Sequence, residues 1–122
     1  MSWWSRLLGG KDARELKPQR LDYLDEAVAL EGEGGFDAAL TSYRLALRDQ
    51  PNDIRILQNM AIAFSKTGRL DEAIRTYRRA LEVDPRLSGA HYGLAFLLLR
   101  REDYRGAARH LAAFLDAAPN SP

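Results

Sequence analysis

Apolar side chains recur along residues 20–117 at i, i+3, i+4 and i+7 spacing, interrupted at short intervals by Gly, Asp or Pro. That period matches the turn of an α-helix and not the alternation of a strand. Leu57, Met60, Ala61 and Phe64 make one stripe; Ala73, Ile74, Tyr77, Ala80 and Leu81 make the next. The spacing predicts six amphipathic helices, at about 20–33, 36–49, 53–67, 70–83, 87–101 and 104–117. Gly34 and Gly68 stand just past a predicted helix, where a left-handed residue closes the last turn. Pro85, after Asp84, stops the fourth helix because it has no N–H and clashes with the preceding turn. Asn52 and Asp53 follow Pro51 and can cap the third.

The stripes repeat. Pro51, Pro85 and Pro119 are 34 residues apart. The same step aligns Ala27, Ala61 and Ala95, then Ala39, Ala73 and Ala107. It aligns Tyr43, Tyr77 and Leu111, Leu30, Phe64 and Leu98, and Ala46 with Ala80, where Phe114 breaks the set. Alanine recurs where two helices cross too closely for a larger side chain, and Tyr77 and Phe64 fill the space that remains. A period of this length, small residues in register, predicts a stack of helix–turn–helix units.

The unit at 54–85 resembles the tetratricopeptide repeat at Leu57, Met60, Ala61, Phe64, Gly68, Ala73, Tyr77, Ala80 and Pro85. The first unit keeps Tyr23, Ala27, Leu30, Gly34, Ala39, Tyr43, Ala46 and Pro51 and departs at Glu26. The third keeps Leu94, Ala95, Leu98, Ala107, Leu111 and Pro119 and departs at His91, Glu102 and Phe114. The resemblance implies an all-α fold, a right-handed superhelical α-solenoid of three repeats at about 20–53, 54–87 and 88–119. Residues 1–18 are then an amphipathic, basic leader, 19–119 the repeat domain and 120–122 a tail.

The resemblance also implies a non-catalytic protein-interaction module, whose first helices line a concave groove. The groove positions that carry recognition fall on Leu24, Val28, Gln58, Asn59, Ile62, Tyr92, Phe96 and Leu99. Gly89 and Gly93 are expected to leave open space beside that apolar row. Family members that grip chaperone tails use Lys, Arg and Asn at fixed groove positions. Here those positions hold Leu24, Val28, Asn59, Gly89 and Gly93, and only Asn59 matches. A carboxylate needs cationic donors, so a chaperone tail is not the expected ligand. An apolar or amphipathic segment is.

Composition narrows the chemistry. There are no cysteines, which removes thiolate metal sites, disulfides and a cysteine nucleophile. A formal net charge of +1 argues against a nucleic-acid partner. The charge is uneven: +3 over residues 1–20 and −5 over 21–50. Asp22, Asp25, Glu26, Glu31 and Glu33 lack the alternating spacing of a calcium loop and read as a solvated face or as a contact for a basic partner. His91 lies at a helix-packing position and His110 on the last helix, neither in a catalytic arrangement. Gly32, Gly34 and Gly35 separate two helices and are no phosphate loop. No enzyme activity, cofactor or metal is expected.

Both ends suggest further contacts. Trp3, Trp4, Leu7 and Leu8 share one face of a short helix, and Lys11, Arg14 and Lys17 follow after Gly9-Gly10. Arg6 interrupts an apolar stretch too short for a signal peptide. Three readings stay open for this segment: a membrane-surface anchor, a hook into a protein partner or into its own groove, or a leader without fixed structure. With the anchor, the chain reads as an accessory subunit or assembly factor of a membrane-associated complex. Its expected location is cytoplasmic, or peripheral at the inner face of a membrane. At the other end Leu111, Ala112, Phe114 and Leu115 are expected to stay partly exposed, which suits self-association or a seat in an assembly, unless Arg105, Arg109 and Asp116 solvate that face.

Overall fold

A computed structural model of the chain describes residues 22–117. Among them six helices follow one another: α1 Tyr23–Gly32, α2 Phe36–Asp49, α3 Ile54–Lys66, α4 Leu70–Val83, α5 Ser88–Arg100 and α6 Tyr104–Ala117. Their bounds fall within one residue of those the spacing predicts, except at the start of α1. Asp22 lies outside that helix, and its carboxylate accepts the Asp25 N–H at 3.2 Å. The helix therefore begins at Tyr23, three residues later than the apolar pattern suggests. Asp53 caps α3 in the same way, accepting the Arg55 N–H at 2.9 Å. Asn52 takes another role and accepts from the Arg79 guanidinium at 2.7 Å.

The helices pack as α1 on α2, α3 on α4 and α5 on α6, with α2 on α3 and α4 on α5 joining the pairs. The core is the line of contacts between neighbours, and Ala27, Ala39, Ala61, Ala73, Ala80 and Ala95 are wholly buried in it. Ala46, Phe64, Tyr77 and Ala107 are buried too, and Tyr43 is fully enclosed. Leu40, Ile56, Leu57, Leu94 and Leu97 are the further large apolar side chains that the stack encloses. Each contributes roughly 1.5–3 kcal/mol by leaving water.

One turn geometry recurs in all three repeats. The amides of Gly35, Arg69 and Asp103 each donate to the carbonyl five residues back, at 2.8 Å. This closure needs a left-handed residue before the donor. Gly34 (φ 82°) and Gly68 (φ 78°) supply it, and in the third repeat Glu102 does so at φ 62°. Ion pairs then tie the second and third turns to the preceding repeat: Arg69 to Asp37 at 3.1 Å, and Arg101 to Asp71.

Candidate protein-binding groove

The first helices of the repeats, α1, α3 and α5, present a row of uncovered apolar side chains. Val28, Ile62, Tyr92, Phe96 and Leu99 are between 38% and 56% exposed. Ile62, Tyr92 and Phe96 converge on one recess of about 330 Å³, walled also by Ser65, Tyr77, Gly89, Gly93 and Leu97. Val28 and Leu99 lie outside that recess, while Gln58 and Asn59 are half-buried on α3. Leu24, expected in the groove, is buried. It sits with Ala46 and Ile56 about a separate cleft between α1, α2 and α3, so its side chain packs in the core instead of joining the exposed row.

The two glycines of α5 do not simply leave open space. A Cβ on Gly93 would run into the phenol ring of Tyr77, and one on Gly89 would come within 2.9 Å of the Gln58 amide nitrogen. Gly93 is what lets Tyr77 reach from α4 beneath α5, and the open volume is what remains beside Ile62, Tyr92 and Phe96. Tyr77 therefore packs the repeat and walls the recess at once. Burial pushes its phenol pKa up, so the hydroxyl stays protonated. The readable signal for this second role is the coincidence of a glycine on α5 with a large aromatic on α4.

The α1 end of the stack is acidic. Asp22, Asp25, Glu26 and Glu33 are exposed. A hydrogen bond to Asp22 and its charge hold the Asp25 carboxyl above the usual range. Glu31 is half-buried and accepts the Tyr43 hydroxyl at 2.9 Å, leaving its other oxygen buried without a hydrogen-bond partner. Burial, and then Glu31, push the Tyr43 phenol well above its ordinary value.

The outer side differs. Arg44, Arg75 and Arg79 rim a recess of about 320 Å³ over Leu57, Met60 and Phe64, and the Arg44 guanidinium lies 5.8 Å from the centre of the Phe64 ring. Beyond it, the Nδ1 atoms of His91 and His110 stand 3.0 Å apart, and His91 Nε2 is 2.7 Å from the Pro85 carbonyl oxygen. With His91 Nε2–H donating to the Pro85 carbonyl, the Nδ1–Nδ1 contact has room for one proton. Burial lowers the His110 pKa, helped by His91, Arg78 and Arg109. Among the described residues no cluster of three or more His, Cys, Asp or Glu could hold a metal ion.

On α6, Leu111 and Leu115 are 37% and 69% exposed, whereas Phe114 is half-buried with its ring 5.3 Å from that of Tyr92. No described helix is long and apolar enough to cross a membrane. Trp3, Trp4, Leu7 and Leu8 lie outside the described residues.

Comparison with known proteins gives a consistent picture. The peroxisomal targeting signal receptor of Candida glabrata is 32% identical over 80 residues, 66% of this chain but 14% of the receptor. The chain thus spans only a small part of the length of that relative. Among solved structures, the Sgt2 TPR domain of Aspergillus fumigatus superposes with a TM-score of 0.75 at 27% identity, covering 83% of this chain and 67% of that one. The second TPR of Spaghetti (RPAP3), bound to the HSP90 peptide SRMEEVD, superposes with a TM-score of 0.77 at 19% identity, covering 87% and 98%. Family models described as tetratricopeptide repeat match residues 23–86 and 59–122. With the repeating turn, the alanine crossings and the six-helix stack, these matches establish that the chain belongs to the tetratricopeptide repeat family.

Proposed function

We propose that this chain is a non-catalytic adaptor that holds an apolar or amphipathic segment of another protein in the recess between α3 and α5. The observation that carries the reading is the recess itself: Ile62, Tyr92 and Phe96 are exposed and converge beside Ser65 and Tyr77. Exposed apolar side chains gathered around one concavity mark a binding site far better than scattered ones do. Rigid helices hold these anchors in place, so a partner helix meets a preformed surface. The superposed Spaghetti domain is bound to a peptide ending in two acids and Val-Asp. Here Val28, Asn59, Gly89 and Gly93 offer no cations for such a tail, and Asp22 and Asp25 favour a basic flank on the partner.

The test is Ile62→Asp combined with Phe96→Asp in the full chain. Both side chains are exposed, so the fold should survive with a small change in stability. Binding of a labelled amphipathic helical peptide of Leu and Lys should be lost while the circular dichroism spectrum is kept. Unaltered binding would sink the proposal.

A further inference from the structure

Resting on that groove reading, we propose that the resident occupant of the recess is the chain's own N-terminal segment, which must leave before a partner enters. Two gradients carry the inference. The α1 end of the stack is acidic, with Asp22 and Asp25 in solvent, and the α5 end of the exposed row is apolar, with Tyr92 and Phe96. Read backwards from α1, the N-terminal segment runs in the matching order. Arg20, Lys17, Arg14 and Lys11 come first, outnumbering Glu15 and Asp12 among them, then the Gly9-Gly10 pair, then Leu8, Leu7, Trp4 and Trp3. Bases thus meet acids nearest the point of attachment, and indoles arrive where the aromatic recess is. The net charges of +3 over residues 1–20 and −5 over 21–50 complement each other.

Reach is sufficient. Crossing from α1 to α5 covers two helix spacings of about 8–10 Å each. The residues between Trp4 and Asp22 extend at roughly 3.3 Å apiece, far beyond that span. Tethering through a short linker gives an effective concentration in the millimolar range. Even a weak match of indole to recess then keeps the site mostly closed. A partner sees its affinity reduced by the fraction of molecules that are open.

The chain carries its own probe, because Trp3 and Trp4 are its only tryptophans. With selective indole excitation, emission of the full chain should be blue-shifted and protected from acrylamide. Ile62→Asp with Phe96→Asp should return it to the solvent-exposed value. Trp3→Ser with Trp4→Ser should tighten binding of the same Leu–Lys peptide about tenfold, as expected for a site about nine-tenths closed. Solvent-like emission in the full chain, with the peptide still binding, overturns this inference and leaves the groove reading standing. No peptide binding in any variant removes both. A blue shift insensitive to the Asp substitutions places the segment elsewhere and overturns the proposal. So does one that grows with protein concentration, because the segment is then seated in a second copy. So does one that appears only with phosphatidylserine vesicles, because the segment is then a membrane anchor.

Discussion

Glu102→Gly should stabilise the protein. Glu102 stands at φ 62°, in the place that Gly34 and Gly68 fill at φ 82° and 78°. For an L-residue, the left-handed region costs roughly 1–2 kcal/mol through contact of Cβ with the backbone. Glycine removes that cost and adds back about 0.5–1 kcal/mol, because its unfolded chain has more freedom to lose. The net gain is about 0.5–1 kcal/mol. The turn's hydrogen bonds, Glu102 N–H to Leu99 at 2.9 Å and Asp103 N–H to Leu98 at 2.8 Å, involve backbone only and survive the change. The Glu102 side chain is exposed, so its removal opens no cavity. At this chain length the gain is a rise of about 2–8 °C in melting temperature. Thermal unfolding followed by circular dichroism reads it, with urea titration as a check that the m-value is unchanged. Gly68→Ala should move the midpoint the other way by a similar or larger amount. A midpoint for Glu102→Gly that is unchanged or lower would refute the strain argument.

Gly93→Ala should destabilise by about 1 kcal/mol. The gain of roughly 1 kcal/mol in helix propensity is outweighed by overlap with Tyr77, at about 1–3 kcal/mol; adding Tyr77→Leu should recover part of the loss in denaturant titration. Ala61→Trp or Ala73→Trp places an indole at a fully buried crossing and should cost at least about 1–3 kcal/mol; unchanged thermal stability would contradict the packing register. Acid should weaken the fold through His110. Its folded pKa lies below 6.5, so the stability it contributes is present above that pH and is lost as pH falls through the lowered value. His110→Gln should flatten that limb of a pH–stability profile, and an unchanged limb would argue against it.

The helices are legible because their small residues repeat. An alanine every 34 residues leaves few choices about which faces cross, and five of six helices lie within a residue of the spacing. The start of α1 escaped because apolar periodicity ignores a capping aspartate, and Asp22 ends the pattern early. Leu24 escaped because a groove position in the first repeat is also within reach of Ala46 and Ile56. Glu26, a departure from the family pattern, is exposed. The corresponding Met60 and Leu94 are buried, and no described helix precedes α1 to cover Glu26 in the same way. Contacts between side chains far apart in sequence were not readable. Arg69 with Asp37, and His91 with His110, depend on rotamers and on the register between helices, which no local pattern encodes. The recess was half legible. The exposed anchors follow from position, but the reach of Tyr77 under Gly93 does not.

The contacts, mostly between sequential helices, have a mechanical consequence. A load applied between the two ends passes through the helix interfaces in series, so the chain peels unit by unit instead of resisting as one block. The outer layers are the thinnest: α1 buries Leu24 and Ala27, and α6 buries Gly106 and Ala107. By contrast α3 buries six residues and α5 five. Tension therefore strips the outer helices first, and the pair that forms the recess is the last to yield. A partner gripped there would stay attached through forces that have already unravelled both flanks.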